Sequence, residues 1–241
     1  MIILGMDFET TGLDREADRI IEVGLILYST GQKKCLESSG YLVRSDVPVS
    51  ERITQLTGIT QAAVNKFGYE SKNALECFLD LADQAEAFVG QNIIQFDKLF
   101  LENWCRREKF KMPEKLWIDT RTDLPGVESK HLGYMAADAG FLNLFPHSAL
   151  SDVQTVIKLI GMHDIEKIVE RAKSPNVVLL GQQPQSDNDL AKARKFKWNP
   201  DYRVWWKVVK QMDLDEEVKA ASFNVSLAPP EILITKLWYG N

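Results

Sequence analysis

Met6-Asp7-Phe8-Glu9-Thr10-Thr11-Gly12 closes the first apolar run of the chain, and its reading decides the rest. Residues 2–6, Ile-Ile-Leu-Gly-Met, have the composition of a buried strand. Alternate side chains of a strand share a face, so Asp7 and Glu9 aim two carboxylates the same way from the end of a rigid element. Side by side and unpaired, they repel each other, and burying them is unfavourable unless something cationic sits between them. A hard divalent cation with oxygen ligands meets that need. The competing reading is a solvated strand end followed by a polar turn.

Outward from this stretch, residues 10–18 are polar and contain Gly12, which predicts a turn. Residues 19–29 are β-rich and apolar, residues 29–32 carry a hairpin signal, and residues 36–43 suit a third strand. Three strands joined by short turns predict an antiparallel meander. Ser50 and Gly58 bracket a short helix. Helical spacing of Leu75, Phe78, Leu79, Ala82 and Ala85 predicts a helix over 73–88, followed by a buried strand over 88–94. Further helices are expected at 96–110, 130–139, 151–161 and 164–173, with a strand at 116–120. The fold class is therefore α/β, a mixed sheet with helices packed on it.

The 241 residues allow one large domain or a domain with a small appendage. Ser174-Pro175-Asn176 marks the expected boundary, dividing the chain into 1–173 and a small α+β unit over 174–241. The charge balance shifts there, with 20 Lys and Arg against 26 Asp and Glu before it and nine against eight after it. Net charge is −5, so a basic global footprint for nucleic acid is missing. A nuclease needs only local phosphate contacts, and a carboxylate-rich metal site itself lowers the net charge. No apolar run is long enough to span a bilayer, so no membrane association is expected. The start of the chain lacks the marks of a signal peptide. Cys35, Cys77 and Cys105 are odd in number and widely spaced, which fits neither a disulfide framework nor a zinc site and leads to a cytoplasmic expectation.

Two more blocks place acids at the starts of predicted helices. Asp97 ends Gly90-Gln91-Asn92-Ile93-Ile94-Gln95-Phe96-Asp97, and Asp152 ends Pro146-His147-Ser148-Ala149-Leu150-Ser151-Asp152. Taken singly, Asp97 and Asp152 read as helix-start acids and His147 as a surface histidine. Five residues along one helix are about 140° apart, so His147 and Asp152 can serve one site only if His147 lies on the loop before the helix.

These blocks, in this order, resemble the DEDDh exonucleases, the DnaQ-like group with a ribonuclease H-like fold. The resemblance covers residues 2–165 and includes the His-x-Ala-x-x-Asp spacing of His147, Ala149 and Asp152. It implies a five-stranded mixed sheet flanked by helices. It further implies a 3′–5′ exonuclease that releases nucleoside monophosphates with two divalent ions, Mg²⁺ or Mn²⁺. On that analogy Asp7 bridges the ions, Glu9 and Asp152 hold the first, Asp97 holds the second, and His147 is the general base. Thr10, Thr11, Asn92 and Phe96 are the implied contacts to the terminal nucleotide. The implied substrate is DNA, single-stranded or frayed. An exoribonuclease and a non-catalytic polymerase-associated end-binding subunit are the alternatives, and a polymerase or other replication or repair protein is the implied partner. The chain departs from the family pattern at Gln91, where a His is usual, and at Ser148, where an Arg is common.

The tail interleaves bases and aromatics in Ala191-Lys192-Ala193-Arg194-Lys195-Phe196-Lys197-Trp198-Asn199-Pro200, then Trp205-Trp206-Lys207. It is similar to a small Trp-containing accessory motif of DNA-metabolising proteins. One reading is a single-strand platform, with Trp198 stacking bases and Lys192, Arg194, Lys197 and Arg203 tracking phosphates. The favoured reading puts Trp198 and Trp205 in the core of a tiny domain, which needs large apolar groups.

Overall fold

The computed structural model describes residues 1–127, 131–182, 188–200 and 202–228. The chain forms two compact units, Met1–Ala172 and a second from Lys173 onward.

In the first unit, β1 (Ile2–Thr10), β2 (Ile20–Ser29) and β3 (Lys34–Leu42) form the expected meander. β4 (Ala87–Gly90) and β5 (Leu116–Asp119) add in parallel beyond β1, so the sheet order is β3-β2-β1-β4-β5. This is the five-stranded mixed sheet expected of a ribonuclease H-like fold. Strand alternation on β1 divides the core. Leu4, Met6 and Phe8 join a cluster with Phe78, Phe100 and Trp104 of α3 (Ser71–Gln84) and α4 (Asp97–Glu108). On the opposite face Ile3 joins Met135, Val153, Val156 and Ile168, from α6 (Leu132–Asp138), α7 (Ala149–Gly161) and α8 (Ile165–Lys173). Asp7 and Glu9 have the parity of Ile3, so they project on the α7 side.

Several elements differ from the sequence reading. α1 (Glu51–Thr57) starts and stops as expected: Ser50 Oγ accepts the Ile53 N–H at 3.3 Å, and Gly58 takes the left-handed conformation at φ 75°. A second short helix, α2 (Gln61–Phe67), follows it unforeseen, capped by Thr60. The third helix ends at Gln84 rather than 88, which leaves Phe88 fully buried in β4. The strand expected over 88–94 stops at Gly90, because Asn92 adopts φ 59° and Asp119 takes the N–H groups of Asn92 and Ile94. A one-turn helix, α5 (Thr120–Asp123), follows β5 and was not read from the sequence.

The second unit is a four-stranded antiparallel sheet, β7-β8-β6-β9, made from β6 (Asn176–Gln182), β7 (Lys197–Asn199), β8 (Val204–Lys210) and β9 (Asn224–Leu227). It carries α9 (Asn188–Ala193) and α10 (Leu214–Ala220). Of the helix read from the sequence over 187–196, Asp187 lies outside the described residues, and α9 ends at Ala193. Trp198 and Asn199, the first residues of a turn read from the sequence over 198–203, pair with β8 instead, because Trp198 gains a cross-strand aromatic neighbour in Trp205. Leu179, Ala191, Phe196, Trp205 and Val209 form this unit's core. Among the described residues, no helix is long and apolar enough to cross a membrane.

Candidate active site

The site grows from the C-terminal end of β1. Register pairs Asp7 with Gly24 and Glu9 with Glu22 on β2. Cross-strand partners share a face, so Glu22 becomes a third carboxylate beside Asp7 and Glu9. Gly24 lets α7 approach: a Cβ there would lie 2.3 Å from the carbonyl carbon of Ala149, in the helix's first turn. That turn is tied down where it lands, since Glu22 Oε2 accepts the Ala149 N–H at 3.0 Å. The contact occupies one of the unpaired N–H groups at the helix start, and the negative charge suits the positive end of the helix dipole.

α7 thereby brings Asp152 to β1. His147 lies on the loop before the helix, at φ 62°, and its N–H donates to Asp152 Oδ2 at 3.1 Å. Asn143 Nδ2 donates to the other oxygen, and Ser151 Oγ donates to Asn143 Oδ1 at 2.9 Å. Glu9, His147 and Asp152 each offer one ligand atom, and these atoms lie within 4.8 Å of one another. His147 is exposed, whereas Glu9 and Asp152 are half-buried.

Asp97 comes from the other side. β4 ends at Gly90, so the edge of β1 beyond Met6 has no strand beside it. Asp97, 1% exposed at the start of α4, fills that place and accepts the Phe8 N–H at 2.9 Å through Oδ1. Its carboxyl is held well above the usual range by burial, against the pull of the Phe8 and Asp97 N–H groups, with Asp119 and Glu9 adding repulsion. Burial likewise raises Asp7 well above its ordinary value, followed by repulsion from Asp97, Asp152, Glu9 and Glu22. Glu9 is pushed up to about 8 by burial, Asp152 and Glu22. Glu22 and Asp152 shift in the same direction, burial again leading.

The five residues picked from sequence, Asp7, Glu9, Asp97, His147 and Asp152, thus come from three distant segments to one place. Glu22 and Asn143 were missed. Glu22 had a signal, as a lone carboxylate between Ile21 and Val23 in an otherwise apolar strand. Asn143 had none, because its role depends on how the loop before α7 folds back.

The four implied nucleotide contacts are placed differently. Thr10 Oγ1 donates to the Gly12 carbonyl at 2.5 Å, and Thr11 Oγ1 donates to Asp18 at 2.9 Å, so both hydroxyls help to close the β1–β2 turn. Asn92 donates its N–H to Asp119 Oδ1 at 2.9 Å and accepts from Arg121 Nη1 through Oδ1. Phe96 stacks at a tilt on Phe100, with ring centres 4.8 Å apart. Gln91 Oε1 accepts the Thr120 hydroxyl, which also donates to the Gly90 carbonyl at 3.1 Å.

In the tail, Lys192 pairs with Asp189 at 3.0 Å, and Arg194 pairs with Glu217 at 2.9 Å. Trp205 is buried, and its indole N–H donates to Asn188 Oδ1 at 3.1 Å, whereas Trp198 is 48% exposed. The two rings, expected together in a core, divide between core and surface. Lys197 packs over Trp206 with its Nζ 5.7 Å from the ring centre, on the opposite sheet face from Trp198. Arg203 is exposed, at φ 51°.

The donor set fits divalent cations. Carboxylates crowd together with raised proton affinity, and their oxygens suit hard ions.

Residues 4–160 match the RNase_T family model, described as Exonuclease. The DNA polymerase III PolC-type of Thermotoga petrophila is 28% identical over 162 residues, 64% of this chain and 11% of that protein. The chain thus spans about a tenth of the length of that curated relative. The nuclease domain of 3′hExo, a DEDDh family member bound to rAMP, superposes with a TM-score of 0.58 at 22% identity, covering 67% of this chain and 90% of that one. The zinc-bound E. coli ExoI–ssDNA complex superposes with a TM-score of 0.68 at 15% identity, covering 92% and 68%.

Proposed function

The chain belongs to the RNase_T exonuclease family, and from that premise we propose that it removes nucleoside monophosphates stepwise from the 3′ end of single-stranded or frayed DNA. The convergence of Asp7, Glu9, Asp97 and Asp152 beside His147 carries this reading. In it, Asp7, Glu9, Asp97 and Asp152 hold two divalent ions, Mg²⁺ or Mn²⁺. When bound, these supply charge neutralisation at the scissile phosphate and an activated water.

The protein groups do the rest. The exposed His147 imidazole takes the proton of the attacking water as the new O–P bond forms and the P–O3′ bond breaks, and the departing 3′ oxygen is protonated from solvent. Asn143 and the His147 N–H fix the Asp152 carboxylate, and Glu22 fixes the helix that carries it. Asn92 and Phe96, on the loop after β4, are proposed to face the terminal nucleotide, and Thr10 and Thr11 to shape the turn beside it. In the tail, Trp198, Lys197 and Arg203 are the exposed groups available to a strand, while Lys192 and Arg194 already have acidic partners. The division into an exonuclease domain over 1–173 and an accessory domain over 174–241 is part of the proposal.

Likeness to the ExoI–ssDNA complex and to PolC-type polymerases supports DNA as substrate and a polymerase as partner. Likeness to a nuclease domain bound to rAMP supports RNA as the second reading. Cys35, Cys77 and Cys105 are all free, which suits a reducing cytoplasm. The test is digestion of 5′-labelled DNA and RNA of one sequence with Mg²⁺ or Mn²⁺, with and without chelator. A ladder shortening from the 3′ end, abolished by chelator, is expected. Turnover of neither polymer, or loss of the 5′ label first, overturns the reading.

A further inference from the structure

A cleft of about 420 Å³ lies between the start of β2, the end of β3, the start of α3 and the end of α4. Three arginines line it. Arg19 is paired with Asp46 at 2.7 Å, and Arg44 is paired with Glu70. Glu108 accepts the Ser71 hydroxyl, which in turn accepts the Trp104 indole N–H at 2.9 Å. Arg107 differs. Its Nη1 is buried with no hydrogen-bond partner among the described residues, and burial together with the neighbouring Arg19 holds its proton affinity below the usual arginine range, against the pull of Asp46, Glu108 and Glu16. A buried guanidinium nitrogen with no acceptor is costly, and such a group calls for a bound species.

The cleft says what that species is. A planar guanidinium matches the oxygens of phosphate or carboxylate. Three arginines against Asp46, Glu70 and Glu108 leave the lining without net charge, so it admits one anionic group rather than a stretch of them. The apolar liners Ile20, Val43 and Trp104 are all buried, so a peptide would find no exposed anchor to supplement its carboxylate. A phosphate needs none.

Position supplies the source. Ile20 pairs with Thr10, so the rim of the cleft lies at the same strand end as the carboxylate cluster, on the face of the sheet that packs α3 and α4. α4 joins the two sites, running from Asp97 to Arg107 over about 15 Å at the rise of an α-helix. A strand with its 3′ end at the carboxylates can reach that far within its first few nucleotides.

We propose that the Arg107 cleft is a second, sequence-independent binding site for one backbone phosphate of the substrate strand, upstream of the terminal nucleotide. This rests on the exonuclease reading above. Arg107 is a positioning residue that holds the strand and has no part in the chemistry.

The test compares wild type with Arg107→Gln on two substrates. One is a 20-nucleotide strand. The other is the p-nitrophenyl ester of thymidine 5′-phosphate, which carries a scissile diester and nothing upstream. Because the Arg107 side chain makes no hydrogen bond to other described residues, the variant is expected to melt no lower than wild type. KM for the long strand should rise about 5- to 10-fold with kcat held, while the ester is cleaved equally by both. Binding of a fluorescent oligonucleotide in chelator, followed across a salt series, should lose about 0.7 from its log–log slope, the increment for one phosphate on a single strand. Equal losses on both substrates, or an unchanged slope, overturn the proposal. If wild type cleaves neither substrate, the exonuclease reading fails, and the salt slope still decides the phosphate site. Displacement of the oligonucleotide by an acidic peptide but not by inorganic phosphate would assign the cleft to a protein instead.

Discussion

Asp97 Oδ1 accepts the Phe8 N–H at 2.9 Å across 89 residues of sequence, in a setting where both residues are buried. The contact closes the open edge of β1 between Asp7 and Glu9 and aims a further acid at them. One oxygen of this carboxylate is therefore structural, and the other is available to the site.

That division separates two substitutions. Asp97→Asn keeps an acceptor for Phe8 and removes the charge, so stability should hold while turnover falls at least about 100-fold. Asp97→Ala also strands the Phe8 N–H and should cost about 1–3 kcal/mol. Urea unfolding and oligonucleotide digestion of the two variants check this. Equal stability of both would remove the structural role.

The crowded acids couple stability to pH. Glu9 is raised from 4.5 to about 8, and Asp7, Asp97, Asp152 and Glu22 are raised too. Between the unfolded and folded values the native state holds more protons, so stability falls as pH rises through that window. With chelator, Tm should drop between pH 5 and pH 8. Mn²⁺ favours the ionised carboxylates and should flatten or reverse the drop. Thermal melts at stepped pH, with and without metal, read this directly.

His147 stands at φ 62°, where glycine is unstrained, and its N–H holds Asp152. His147→Gly should therefore keep the loop and the Asp152 contact while deleting only the imidazole. The expected result is an unchanged or raised Tm with kcat down about 10²–10⁴-fold. Wild-type kcat in this variant would take His147 out of the proton transfer.

Glu22 anchors the first turn of α7 through Ala149. Glu22→Gln retains an acceptor and should stay close to wild type in stability, whereas Glu22→Ala should lose about 1 kcal/mol. In Glu22→Ala, Asp152 loses its fixed position, so the Mn²⁺ concentration for half-maximal turnover should rise several-fold. Metal titrations of activity for the two variants decide whether position or charge matters.

In the second unit the two tryptophans should behave differently. Trp205→Ala empties a core position and should cost about 3–5 kcal/mol. Trp198→Ala should leave stability nearly intact and weaken single-strand binding by about 1–3 kcal/mol if a base stacks there. Unfolding and anisotropy measurements on the full chain separate the outcomes.

The legible parts of the site were those coded locally. Asp7 and Glu9 declared a shared face through the period of a strand, and the five-residue spacing of His147 and Asp152 required His147 to lie on a loop to serve the same site. Where sequence reading failed, a distant group had intervened. The expected strand over 88–94 was cut at Gly90 because Asp119, 27 residues away from Asn92, claims its N–H. Gln91 was noticed as a departure, but its bond to Thr120 belongs to the fold.

By itself, the order of residues determined the antiparallel meander, the α/β class, the two aligned carboxylates on β1 and the helix-start acids, because periodicity and capping act over a few neighbours. Only the tertiary structure decided that Glu22 stands opposite Glu9, that Gly24 admits α7, that Trp198 lies open while Trp205 is enclosed, and that Arg107 Nη1 is left without an acceptor among the described residues. Those outcomes depend on which backbones approach closely enough to exclude water. That is set by packing between segments far apart in the chain, which no local pattern encodes.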